Sequence, residues 1–87
     1  MPVDLSVILP SYLSADVARR HIPVLLAHLR STGVSHEVIL VDDGSHDGGA
    51  TERVAADLGC RYIEHAVNQG NGASVRRGIL EAVGRSR

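Results

Sequence analysis

Apolar residues along this chain switch repeatedly between continuous runs and helical spacing. Leu5-Ser6-Val7-Ile8-Leu9 is a short apolar run closed by Pro10, and Val38-Ile39-Leu40-Val41 is a second, closed by Asp42-Asp43-Gly44. Runs of this length bounded by turn residues predict buried strands. Between them Val17, Ala18, Ile22, Leu25, Leu26 and Leu29 recur at helical spacing, which predicts a helix from about Ser14 to Ser31. Ser14 or Asp16 can cap its start, Gly33 stands just past its end, and Pro23 is expected to kink or divide it. Thr51, Val54, Ala55 and Leu58 form one face of a second helix ended by Gly59, and Cys60 to His65, with Tyr62 and Ile63, reads as a third strand. After the loop Asn68-Gln69-Gly70-Asn71-Gly72, residues Val75, Ile79, Ala82 and Val83 give a third helical stripe ending around Gly84.

Strand followed by helix, three times over with short connections, predicts an α/β domain built on a parallel sheet with right-handed crossovers. Ligands of open parallel sheets bind outside the carboxyl ends of the strands. Pro10-Ser11-Tyr12, Asp42-Asp43-Gly44-Ser45 and Asn68 to Gly72 follow the three strands, so three loops distant in sequence are expected to meet on one rim.

At 87 residues the chain suffices for one small domain spanning 1–87, with a single modest core. Trp and Phe are absent and Tyr12 and Tyr62 are the only aromatics, so the core rests on Val, Ile, Leu and Ala. The nine basic residues are all Arg, scattered, and nearly balanced by ten acids, which argues against a nucleic-acid partner. A lone Cys60 excludes an internal disulfide and a thiolate zinc site. No apolar run approaches membrane-spanning length and the start lacks a signal-peptide pattern, so a cytoplasmic location is expected, with membrane association of a longer parent left open.

Two candidate sites follow. Asp42 and Asp43 end a buried strand, where a carboxylate can accept a hydrogen bond from a nucleobase N–H or a ribose hydroxyl; the alternative is a plain Asp43-Gly44 turn with Ser45 or Asp47 as a helix cap. A metal reading of the two acids is disfavoured, because consecutive strand positions rarely point at one ion. Gly70-Asn71-Gly72 before a helix is similar to a phosphate-cradling loop, against the alternative of an ordinary strand-to-helix turn. With no Lys in the chain a Walker loop is impossible, and Val75 stands where a dinucleotide fingerprint needs a small residue. Arg76 or Arg77 can lean toward a diphosphate, against the alternative of an exposed Arg on a solvated face, which is favoured for Arg77 and slightly for Arg76; Gly78 is expected to allow close packing of the helix on the sheet. The five histidines show no ligand-like spacing, and none is assigned to catalysis.

Together, Ser6-Val7-Ile8-Leu9-Pro10-Ser11-Tyr12, Glu37 through Ser45 with Asp47-Gly48, and Asn68-Gln69-Gly70-Asn71-Gly72-Ala73 with Arg76 and Gly78 resemble glycosyltransferase family 2. The resemblance is to the branch containing polyprenyl- and dolichyl-phosphate mannosyl- and glucosyltransferases. It implies the N-terminal, nucleotide-binding half of a GT-A domain: a three-layer, Rossmann-like βαβαβα unit of a hexosyltransferase that uses a GDP- or UDP-linked sugar. It further implies Pro10, Ser11 and Tyr12 beside the base, Asp42 hydrogen-bonding it, Asp43, Gly44 and Ser45 nearby, and Gly70, Asn71, Gly72 and Arg76 flanking the nucleotide. The Mg²⁺ or Mn²⁺ of such enzymes is held by an Asp-x-Asp motif that this chain does not contain, so the chain alone is expected to hold no metal and to be inactive or nearly so. A non-catalytic nucleotide-binding or protein-interaction module is the alternative, and a response-regulator-like domain is disfavoured by the missing Lys. The family usually continues the first motif with Asn and often Glu, where this chain has Leu13 and Ser14, and often carries Lys where it has Asn71. A sheet ending after three strands leaves an open edge, from which self-association or marginal stability is expected.

Overall fold

The computed structural model describes residues 3–83. Six elements alternate in the order expected: β1 (Leu5–Ser11), α1 (Ala15–Thr32), β2 (His36–Asp43), α2 (Ala50–Leu58), β3 (Arg61–His65) and α3 (Asn71–Val83). The three strands form one parallel sheet in the order β1-β2-β3. Two crossovers of one hand, both stepping the same way along a sheet, must lie on the same face. Accordingly α1 and α2 pack side by side, while α3 lies on the opposite face against β1 and β2.

Strand alternation divides the core between those faces. Val38 and Leu40 of β2, with Val7, Leu9 and Tyr62 beside them, meet Ile22, Leu26 and Leu29 of α1 and Val54 and Ala55 of α2. Ile39, Val41 and Ile63 meet Ala82 of α3, with Ile8 packed alongside. The first layer is the larger, and β2 is buried from Val38 onward.

Several boundaries differ from the hydrophobic pattern. Pro10 and Ser11 do not follow β1 but end it, paired with Val41 and Asp42, and Asp42 and Asp43 are likewise strand residues rather than loop. Backbone pairing with both neighbours carries β2 two residues beyond its last apolar side chain. Asn71 and Gly72 belong to the first turn of α3, so the glycine loop is shorter than expected, and the expected end at Gly84 lies outside the described residues. Pro23 does not divide α1, which is one helix through Thr32. Its missing N–H would have bonded the carbonyl of Arg19, and both residues are exposed, so water can satisfy that carbonyl. Ser14 occupies the N-cap position of α1, but its hydroxyl bonds Ser11 Oγ at 2.9 Å instead of capping the helix.

Gly78 explains how closely α3 approaches the sheet. A Cβ built there would stand 2.4 Å from Ile8 Cγ2 and 3.2 Å from Ile8 Cβ, atoms anchored at the strand backbone and not a flexible tip. Gly→Ala in a helix interior ordinarily gains about 1 kcal/mol of propensity. Here the overlap with a packed strand is expected to outweigh it, so Gly78→Ala should destabilise by about 1–3 kcal/mol. In a denaturant double-mutant cycle Ile8→Ala should absorb part of that loss; a Gly78→Ala chain as stable as wild type would refute the contact.

Candidate functional site

The carboxyl ends of the strands gather the expected rim, and alternation sorts its two acids to opposite faces of the sheet. Asp42 continues the Val38-Leu40 side facing α1 and α2, and Asp43 continues the Ile39-Val41 side facing α3. Both are almost fully buried, at 1% and 4% exposure. Buried carboxylates need hydrogen-bond donors, and each has its own set.

Asp42 accepts from the Ser45 backbone N–H at 3.1 Å through Oδ1 and from the Tyr62 hydroxyl at 2.7 Å through Oδ2. Burial first, then the bond to Asp42, pushes the Tyr62 phenol well above its ordinary pKa, which keeps it a donor. Ser45 extends the network by accepting the Leu13 N–H on its Oγ at 2.8 Å. Asp42 is therefore a scaffold that fixes the β1 and β2 loops, not the open acceptor expected from sequence.

Asp43 holds the third loop. Oδ1 accepts from His65 Nδ1 at 2.8 Å and from the Gln69 N–H at 2.9 Å, and Oδ2 accepts from the Gly70 N–H at 2.8 Å. The His65 bond above all, helped by the two backbone donors, holds the Asp43 carboxyl below its ordinary value against the opposing effect of burial. An ionised Asp43 makes Nδ1 the protonated nitrogen of His65. Gly70, at φ +96°, turns the chain into α3, whose Ser74 closes the turn through Oγ to the Gly70 carbonyl at 3.3 Å. Gly44, at φ +78°, lets the β2 loop lie against the β3 loop: a Cβ there would be 2.6 Å from the Asn68 backbone nitrogen. His46 joins the same two loops through Nε2 to the Ala66 carbonyl.

What remains open is a cavity of about 230 Å³ lined by Pro10, Ser11, Tyr12, Asp43, Asn68, Gly70, Asn71 and Ser74. Of the residues expected at the site, the structure brings together Pro10, Ser11, Tyr12, Asp43, Gly70 and Asn71 around it. Asp42, Gly44 and Ser45 lie behind, as the frame just described. Gly72 is an exposed residue of the first helical turn with nothing near its Cα hydrogens, and Arg76 lines a different depression on the far side of the loop. Sequence reasoning missed Tyr62, His65 and Ser74; the pairing of Asp43 with His65 across the parallel register is the signal that would have linked the last strand residues. A divalent ion does not fit the two acids: they face opposite sides, their oxygens are engaged, and no cluster of three or more His, Cys, Asp or Glu that could hold a metal occurs among the described residues.

The family model described as glycosyl transferase family 2 matches residues 6–85. The chain is 39% identical over 82 residues to an uncharacterized glycosyltransferase of Rickettsia bellii, covering 92% of this chain and 11% of that protein. It is 38% identical over 81 residues to one of Rickettsia felis, with coverage of 91% and 13%. It is 35% identical over 95 residues to a dolichyl-phosphate beta-glucosyltransferase of Drosophila melanogaster, with coverage of 97% and 29%. The chain thus spans less than a third of the length of each of these relatives.

Two consequences of the rim geometry can be measured. Because the folded pKa of Asp43 is depressed, its contribution to stability is present above the ordinary aspartate value and is lost as pH falls from about 4 through the lower folded value. Urea unfolding of Asp43→Asn should start from lower stability at neutral pH and decline less steeply than wild type below about pH 4; parallel slopes would sink the assignment. Leu13 sits at φ +53° and is 62% exposed, a backbone region that costs most L-residues roughly 1–2 kcal/mol and that Asn tolerates better. Leu13→Asn should therefore raise the melting temperature, and a lowered one would show that the Leu side chain matters more than its backbone.

Proposed function

The chain belongs to glycosyltransferase family 2, and on that premise we propose that its rim is the nucleoside-binding part of a GT-A domain that transfers a hexose from a GDP- or UDP-linked sugar. The observation that carries this reading is the 230 Å³ cavity at the carboxyl ends of β1 and β2, open between Tyr12 and the start of α3 and walled by Asp43. An exposed aromatic ring at 51% exposure, Tyr12, offers a stacking face for a base, and Pro10 and Ser11 form the adjoining wall. Asn71 and Asn68 supply polar groups for base edge or ribose, and the N-terminus of α3 supplies backbone N–H groups. Asp42, Gly44 and Ser45 act from behind by fixing those walls.

The acceptor, a polyprenyl phosphate in this reading, and the reacting sugar lie beyond the groups found on this chain. Asp42 and Asp43 take no metal, so no transfer step is assigned to them, and by itself the chain binds without turning over. No helix among the described residues is long and apolar enough to cross a membrane. Among the described residues the outer edges of β1 and β3 are unpaired, and they are where further strands or a second copy would add.

Calorimetric titration with GDP and UDP, with and without Mn²⁺, tests the reading. Saturable binding of one nucleotide is expected, little changed by Mn²⁺, and weakened about tenfold by Tyr12→Ala, the effect of losing one stacked base. Absence of binding by a chain shown to be folded, or binding indifferent to Tyr12, would overturn it.

A further inference from the structure

Arg76 and Arg77 do not reach the Tyr12 cavity. They line a second depression of about 210 Å³ on the other side of the β3–α3 loop, together with His65, Gln69, Ala73 and Leu80. The two cavities share no lining residue, and Asp43, which lines only the first, bonds residues of both: His65 and Gln69 of the second and Gly70 of the first.

The second cavity has the chemistry of an anion site. Neither arginine has a hydrogen bond or ion pair among the described residues, although Arg19 and Arg61 each find a carboxylate. No carboxylate lines the depression, since Glu81, the nearest acid on α3, is held by Arg61 at 2.7 Å. Behind the arginines stands His65, 6% exposed, with Nδ1 given to Asp43 and Nε2 left without a partner among the described residues. The Gln69 side-chain amide has no partner among the described residues either, its backbone N–H being engaged by Asp43. Two arginines and an amide as donors, with one imidazole nitrogen as acceptor, around one concavity of this size match a singly protonated phosphate.

We propose that this depression is a phosphate-binding site, separate from the Tyr12 cavity, in which Arg76 and Arg77 supply the charge, the Gln69 amide donates, and His65 Nε2, an acceptor while Nδ1 holds the proton, takes a hydrogen bond from the P–OH of the singly protonated anion. The class of ligand is inorganic phosphate or the phosphate of a monoester. Because Asp43 grips both the imidazole of this site and the Gly70 turn of the other, occupation here bears on the loop that borders the first cavity.

Amide chemical-shift titration of the chain with inorganic phosphate, repeated with glycerol phosphate, tests the proposal and shows whether a free anion or an ester is preferred. Saturable shifts are expected at Gln69, Ala73, Arg76 and Arg77. The double variant R76A/R77A, which changes only exposed side chains, should retain its fold and lose at least about tenfold in affinity, as expected for two charge-assisted contacts. Tyr12→Ala should leave phosphate binding unchanged even though it weakens nucleotide. Failure of phosphate to shift these amides, retention of affinity in R76A/R77A, or loss of it in Tyr12→Ala would overturn the separate site.

Discussion

The rim depends on one buried carboxylate. Asp43 is the last residue of the central strand, and its two oxygens collect donors from the end of β3, from the Gln69 backbone and from the turn that starts α3. Burial by itself would favour a neutral acid. Three donors reverse that preference, and the ionised group then organises backbone that has no other partner in the loop. Without such a centre the β3–α3 connection would be a solvated segment with its N–H groups turned to water. With it, Gly70 is held in the conformation that points α3 back across the sheet.

The neighbouring acid shows how a period of two divides labour between adjacent residues. Asp42 falls on the α1 and α2 side, where Tyr62 and the Ser45 backbone meet it, and through Ser45 it reaches Leu13 in the first loop. One acid therefore ties the β1 and β2 loops together on one face, and the other ties the β2 and β3 ends on the opposite face. Their adjacency in sequence invites a metal, but the pleat sends them apart and each is satisfied by protein donors.

The fold was legible because its signals are periodic. Continuous apolar runs named the strands, helical stripes named the helices, and Gly33 and Gly59 stopped α1 and α2 in the left-handed conformation found there. Gly78 packs on the sheet as expected, but the stripe read for α3 was displaced: Val75 and Ile79 are exposed, and Ser74, Gly78 and Ala82 are the buried positions, because small residues let the helix lie close to β1 and β2. The site was legible only as a place. That the acids belong to the strand could not be read from hydrophobicity, since backbone pairing continues past Val41 regardless of side chain. Tyr62 and His65 escaped because their roles depend on register with β2, which a single sequence does not specify. Leu13 carries the clearest trace of backbone demand: its left-handed φ of +53° is a conformation that Asn adopts more readily than Leu.

The close approach of Gly44 to the Asn68 backbone has a consequence for how this site can diversify. Where two loops touch main chain to main chain, neither can accept a larger residue or an insertion without losing the other, so that half of the rim is frozen. Tyr12 and Asn71 are exposed and bear no such constraint. Evolution of ligand preference is thereby channelled to a few positions on the open side, while the ones behind them keep the shape into which any new preference must fit.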